Sequence, residues 1–334
     1  MMSRTCRSVS RIMVAAAVVL AAMAPAPALA ERLIGFHAPW DPASASALRA
    51  HGGELSVVVA ARLSVTGADH MMTIVPDDAG RAALAALPKA PRLWLMVQNA
   101  LLGTWDGAGA AALLRDPAAN DRFLDALEAQ LLNDGARGAV VDFENLPADA
   151  QPDLVRFLAK AHARFRQRGW TLAVAAPVSD PAWNLSLIGA SADAVILMAY
   201  DEHWQTGTPG PIASTSWFQA IVRKAVGQLP RDRAIVALAS YAYDWPAHGP
   251  AAILSVEQAR AVAARHAVQP IRDTVSGATH FSYDLNDEAH QVWIADASTV
   301  AAQAALAHGL GVDRIALWRL GTEDDRLWAS FEAH

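Results

Sequence analysis

Cysteine is almost absent from this chain. The 334 residues hold one, Cys6, and none follows it. A chain without later cysteines has no disulfide framework, no thiol nucleophile and no thiolate metal site. Tyrosine is scarce as well, with four against eleven tryptophans. Cations are outnumbered: 27 Lys and Arg face 33 Asp and Glu, for a formal charge of −6. That sign disfavours nucleic acid or an anionic membrane surface as a partner. No Gly-rich phosphate loop follows any strand-like run, and no H-E-x-x-H occurs. Nucleotide and zinc sites of those types are therefore unsupported, and no cofactor is expected.

Long apolar runs are also missing. The only candidate, Met13 to Ala22, is too short for a comfortable membrane span, and Pro25 and Pro27 follow it. Arg4, Arg7 and Arg11 precede it and Ala28-Leu29-Ala30 closes it, which is the pattern of a cleavable signal peptide. Residues 1–30 are expected to be removed, leaving Glu31 first. Loss of three arginines and no acids takes the formal charge from −6 to −9. A periplasmic or secreted monomer without membrane insertion is expected.

What the chain does contain is a regular alternation. Short apolar runs recur at Leu33–Ala38, Leu55–Leu63, Leu93–Gln98, Gly138–Phe143, Leu172–Val178, Ala194–Tyr200, Ala234–Tyr241 and Arg314–Trp318. Helix-like stretches lie between them, such as Asp116–Asn133, Gln151–Arg168, Trp217–Gln228 and Ser298–His308. Continuous apolar runs suit parallel strands covered on both faces. Eight of them alternating with helices predict a (β/α)8 barrel over residues 31–334. The spacing stretches once, between strands seven and eight. There a helix-like piece, Ser255–His266, and β-like pieces at Thr279–Tyr283 and Gln291–Ile294 predict a small α+β insertion at about 247–294.

The fourth run is the most informative, because it ends in Asp142-Phe143-Glu144. Strand side chains alternate, so Asp142 and Glu144 share a face with Val140 behind them. Val141 and Phe143 take the other face, toward helices. Taken alone, this also fits a strand end with two solvated acids. Other strand ends are polar or aromatic too: His37 to Asp41, Gln98-Asn99, Tyr200 to Trp204, Tyr241 to Trp245, and Trp318-Arg319. In a barrel such ends converge on one mouth. His37 and His203 lack any metal-ligand spacing and read as satisfied polar histidines. The acidic stretch Asp284 to Glu288 lacks the EF-hand pattern and reads as a hairpin turn.

Together these ends resemble glycoside hydrolase family 18, the chitinase-like barrels. The window Arg137 to Glu144 resembles the family's D-G-x-D-x-D-x-E. Met198 to Ser214 and Ala316 to Trp328 resemble its sixth- and eighth-strand regions. They are nearest to the branch of spore-cortex glucosaminidases and domains fused to polysaccharide deacetylases. The resemblance implies Glu144 as general acid and base, with Asp142 and Tyr200 holding the substrate's 2-acetamido group. Asp201 would line the site and Trp318 would floor it. The implied reaction is retaining, with the acetamido oxygen as nucleophile. The implied partner is a glycan containing N-acetylglucosamine. Trp40, Trp204 and Trp245 are candidate sugar platforms, and Asn99 and Asp244 further substrate contacts. Arg137 and Val140 depart from the family's first two aspartates. Without an acid behind it, Asp142 is expected to titrate simply. The alternative function is a non-catalytic, lectin-like barrel, which usually replaces the acid that Glu144 supplies here.

Overall fold

The computed structural model describes residues 32–101 and 103–331. The expected signal segment and its cleavage point lie outside the described residues. Eight parallel strands form the barrel: β1 Leu33–His37, β2 Val57–Val65, β3 Arg92–Gln98, β4 Gly138–Asp142, β5 Thr171–Pro177, β6 Ala194–Met198, β7 Ala234–Ala239 and β8 Ile315–Trp318. Each pairs with its sequence neighbours, β8 pairs with β1, and the ring is closed. All eight match the apolar runs, within a few residues at either end.

Alternation within each strand divides the apolar residues into two layers. Ile34, Phe36, Met96, Val140, Ala173, Ile196, Ile235 and Ala316 fill the barrel interior. Val58, Leu95, Val141, Val174, Val195, Val236 and Leu317 face outward against the helices. At the start of β4 the interior is so tight that a Cβ on Gly138 would lie 2.6 Å from the Thr171 carbonyl and 2.8 Å from the Trp94 ring. Arg137 stands exposed just before it, at the rim opposite the mouth.

The four helices read from the sequence appear at Pro117–Asn133, Gln151–Arg168, Thr215–Val226 and Ala297–Gly309. Shorter, alanine-rich helices at Pro42–His51, Asp78–Ala85 and Gly107–Arg115 carried too little periodicity to be read. Their starts are set by Asp41, Asp77 and Asp106, whose carboxylates accept backbone N–H groups of the first turn. Among the described residues no helix is long and apolar enough to cross a membrane.

Between β7 and β8 a five-stranded antiparallel sheet packs on the helix Val256–Arg265. Its strand Ala242–Pro246 follows β7 almost at once, so the added sheet begins before the expected residue 247. Its long hairpin joins Thr279–Leu285 to Glu288–Ile294. Asn286 and Asp287, at φ 53° and 65°, make the two-residue turn that left-handed residues allow.

Candidate active site

The barrel register carries straight into the mouth. Val140 is interior, so Asp142, two residues on, is interior as well. Phe143 points outward and stacks on Phe157 at 6.3 Å, which anchors the strand end from the helix side. Asn145, at φ 54°, turns the chain away immediately after Glu144. The start of the helix Gly107–Arg115 is pressed against this turn: a Cβ on Gly107 would lie 1.9 Å from the Asn145 carbonyl oxygen.

Asn99 was expected to contact substrate, and the structure puts it to other work. It is fully buried. Its Oδ1 accepts from the Glu144 backbone N–H at 2.8 Å, and its Nδ2 donates to the Glu144 carbonyl at 2.8 Å. Both ends of the amide are thus spent on Glu144, whose backbone is clamped to the end of β3.

Burial dominates the electrostatics of the two acids. Asp142 is 5% exposed, and among the described residues its Oδ1 has no hydrogen-bond partner. Desolvation pushes its carboxyl up to about 7. Glu144 is pushed up to about 8, first by burial and then by the charges of Asp142 and Asp201. The expectation of a simple Asp142 titration needs correction: Val140 removes one acidic neighbour, but burial raises Asp142 all the same and its charge acts on Glu144 beside it.

The other wall comes from β6, β7 and β8. Tyr200 and Trp318 extend the inward registers of Met198 and Ala316 and pack on the barrel interior. Trp318 meets Phe36 edge-on, with ring centroids 5.3 Å apart. Burial, then Asp201, Asp142 and Glu144, hold the Tyr200 phenol far above its ordinary value. Asp201 is in the left-handed region at φ 61°. Its Oδ1 accepts from the Tyr241 hydroxyl at 2.7 Å and the Tyr243 hydroxyl at 3.3 Å. Burial raises Asp201, and the two tyrosine hydrogen bonds oppose that rise.

Tyr241 and Tyr243, rather than Asp244 and Trp245, meet the mouth through Asp201. Alternation was the available signal: Tyr241, Tyr243 and Trp245 continue the inward register of β7, whereas Asp244 points the other way. Asp244 is buried in the added sheet. It accepts from Tyr283 at 2.6 Å and meets His290 Nδ1 at 2.8 Å. Trp245 is 2% exposed and packs on Tyr243 with centroids 5.0 Å apart, so it offers no platform. Trp40 and Trp204 are half exposed, on the loops after β1 and β6. The Trp204 loop is tied across itself: Glu202 accepts from the Ser214 N–H at 2.6 Å and the Ser214 hydroxyl at 3.0 Å.

The His37 ring nitrogens are occupied by Ser44 at 2.9 Å and Asp77 at 3.0 Å. Among the described residues, no group of three or more His, Cys, Asp and Glu side chains is arranged to hold a metal ion. The mouth therefore combines a buried acid and a half-buried one, a third acid held by phenols, an interior tyrosine and an aromatic floor. Chemically it can give and take a proton beside a bound neutral ring.

No family model matches the chain. It is 24% identical over 269 residues to an uncharacterised glycosylase of Bacillus subtilis, covering 76% of this chain and 78% of that protein. It is 26% identical to a cortical fragment-lytic enzyme of Bacillus cereus over 76% of this chain, and spans only 62% of that longer protein. The crystal structure of a chitinase from Chromobacterium violaceum superposes with a TM-score of 0.82 at 25% identity, over 91% of this chain and 98% of that one.

Proposed function

We propose, on the premise that the chain belongs with the chitinase-like barrels of glycoside hydrolase family 18 that it resembles, that it hydrolyses glycans containing N-acetylglucosamine, as its likeness to a glycosylase, a cortical fragment-lytic enzyme and a chitinase supports. The carrying observation is the shared interior face of Asp142 and Glu144 at the barrel mouth, with Tyr200 and Trp318 packed on the same interior layer.

A general acid must hold a proton at working pH and release it to the leaving group. Burial and the charges of Asp142 and Asp201 favour the protonated form of Glu144. In the proposed reaction its carboxyl protonates the glycosidic oxygen as the C1–O bond breaks. The carbonyl oxygen of the 2-acetamido group attacks C1 from the opposite face, giving a bicyclic oxazolinium ion. Asp142 Oδ1, a buried acceptor without a donor among the described residues, suits the acetamido N–H and then the positive charge. The Tyr200 hydroxyl donates to the acetamido oxygen and aligns it. The Glu144 carboxylate then takes a proton from water, which opens the ring at C1. Two displacements at one carbon retain the anomeric configuration. Trp318 supplies an apolar floor for the sugar, and Trp40 and Trp204 stand as outlying platforms.

The substrate class allows chitin oligomers, peptidoglycan and β-1,6-linked N-acetylglucosamine polymers. Reducing-end release from all three, measured beside Glu144→Gln, tests the reading. The variant is expected to fold, bind glycan and lose about 10²–10⁴-fold in turnover. Near wild-type turnover in Glu144→Gln would remove the hydrolase assignment.

A further inference from the structure

Asp201 is held in an unusual way. It follows Tyr200 at the end of β6 in the left-handed region, which aspartate tolerates better than most residues. Two phenols reach it from one direction, and both donate to the same oxygen, Oδ1. Oδ2 is left outside that clamp. Neither phenol can swing aside easily. Tyr241 and Tyr243 meet edge-on at 5.2 Å, Trp245 backs Tyr243, and all three are buried.

We propose that Tyr241 and Tyr243 are positioning residues for the hydrolysis, holding the Asp201 carboxylate in one orientation beside Glu144 with Oδ2 free for the bound sugar. This rests on the hydrolase reading above. Phenylalanine would fill the same space, so packing alone does not call for the hydroxyls. Hydrogen bonds from a phenol to a carboxylate are short and charge-assisted, and a buried carboxylate without them would favour its neutral form. The groups facing Asp201 are Tyr200 beside it, Glu144 on the β4 side with Asp142 next to it, and the two phenols after β7. Each hydroxyl lost therefore makes Asp201 easier to protonate. The acidic limb of the active range therefore rises, while above it Asp201 is charged again and the Glu144 limb stays in place.

The experiment is the pH dependence of kcat and KM for Tyr241→Phe and Tyr243→Phe. Tyr241→Phe is expected to lower kcat about 10-fold with KM within about two-fold of wild type. Its acidic limb should rise by roughly half a pH unit to one unit. Tyr243→Phe, from the longer bond, should do the same more weakly. Unchanged limbs and kcat in both variants, while Glu144→Gln remains inactive, overturn this inference alone. An active Glu144→Gln overturns the hydrolase reading instead. Should Tyr241→Phe be destabilised, a double-mutant cycle with Asp201→Asn decides. The proposal requires Tyr241→Phe to add little once Asp201 is already an amide, and full additivity refutes it.

Discussion

Replacing Asn99 with alanine separates a positioning role from a substrate contact. The amide makes two hydrogen bonds of 2.8 Å to the Glu144 backbone from a fully buried position. Each bond contributes about 1 kcal/mol net, and each backbone group left without a partner costs about 1–3 kcal/mol if water cannot reach it. Glu144 is only partly buried, so some rehydration offsets the loss. The sum is about 2–3 kcal/mol, or roughly 4–10 °C in Tm for a domain of this size. The clamp also sets where the acid stands, and a misplacement of about 1 Å costs on the order of 10²-fold in rate. Asn99→Ala should therefore lower kcat by about 10²-fold while KM stays near wild type. Asn99→Asp keeps an acceptor for the Glu144 N–H but sets a fully buried carboxyl against the Glu144 carbonyl, so it should be no more stable than Asn99→Ala. Thermal melts and Michaelis kinetics on a soluble chito-oligomer measure both effects. A raised KM with unchanged kcat and Tm would mean that Asn99 meets the glycan after all.

Stability should carry the signature of the two raised carboxyls. Below about pH 4 both folded and unfolded chains hold these protons. Between there and the folded values of about 7 and 8, the unfolded chain releases them first, so stability falls as pH rises, by up to about 1.4 kcal/mol per unit for each group. Glu144→Gln should accordingly raise Tm more at pH 8.5 than at pH 5, and an equal gain at both would refute the burial argument. Turnover by the wild type should decline above about pH 8 as Glu144 loses its proton. NMR of the first-formed product should show retained configuration, and glycans with a free 2-amino group at the cleavage point should resist, because a protonated amine cannot attack C1. Inversion, or equal cleavage of acetylated and deacetylated oligomers, would give Asp142 another role. Mass spectrometry of the exported protein should find Glu31 first, whereas a product retaining Arg4 to Arg11 would mark an uncleaved anchor.

The barrel was legible in the linear chain because parallel strands covered on both faces must be apolar throughout. Runs such as Ala194–Met198 and Ala234–Ala239 admit no other environment. The shared face of Asp142 and Glu144 was legible for the same local reason, the two-residue period of a strand. That period could also have separated Trp245 from Asp244, and it pointed to Tyr241 and Tyr243. What those phenols do, however, depends on how strands six and seven converge, and Asp201 lies 40 residues from Tyr241 along the chain. Asn99 reaches Glu144 across 45 residues, and its type alone fits a sugar contact equally well. The raised carboxyls were beyond the sequence too, since desolvation depends on everything that surrounds a group in space. Local periodicity determined which side chains could face the mouth. Only the closed barrel decided which of them meet, which are spent on the backbone, and how far water is kept from the acids.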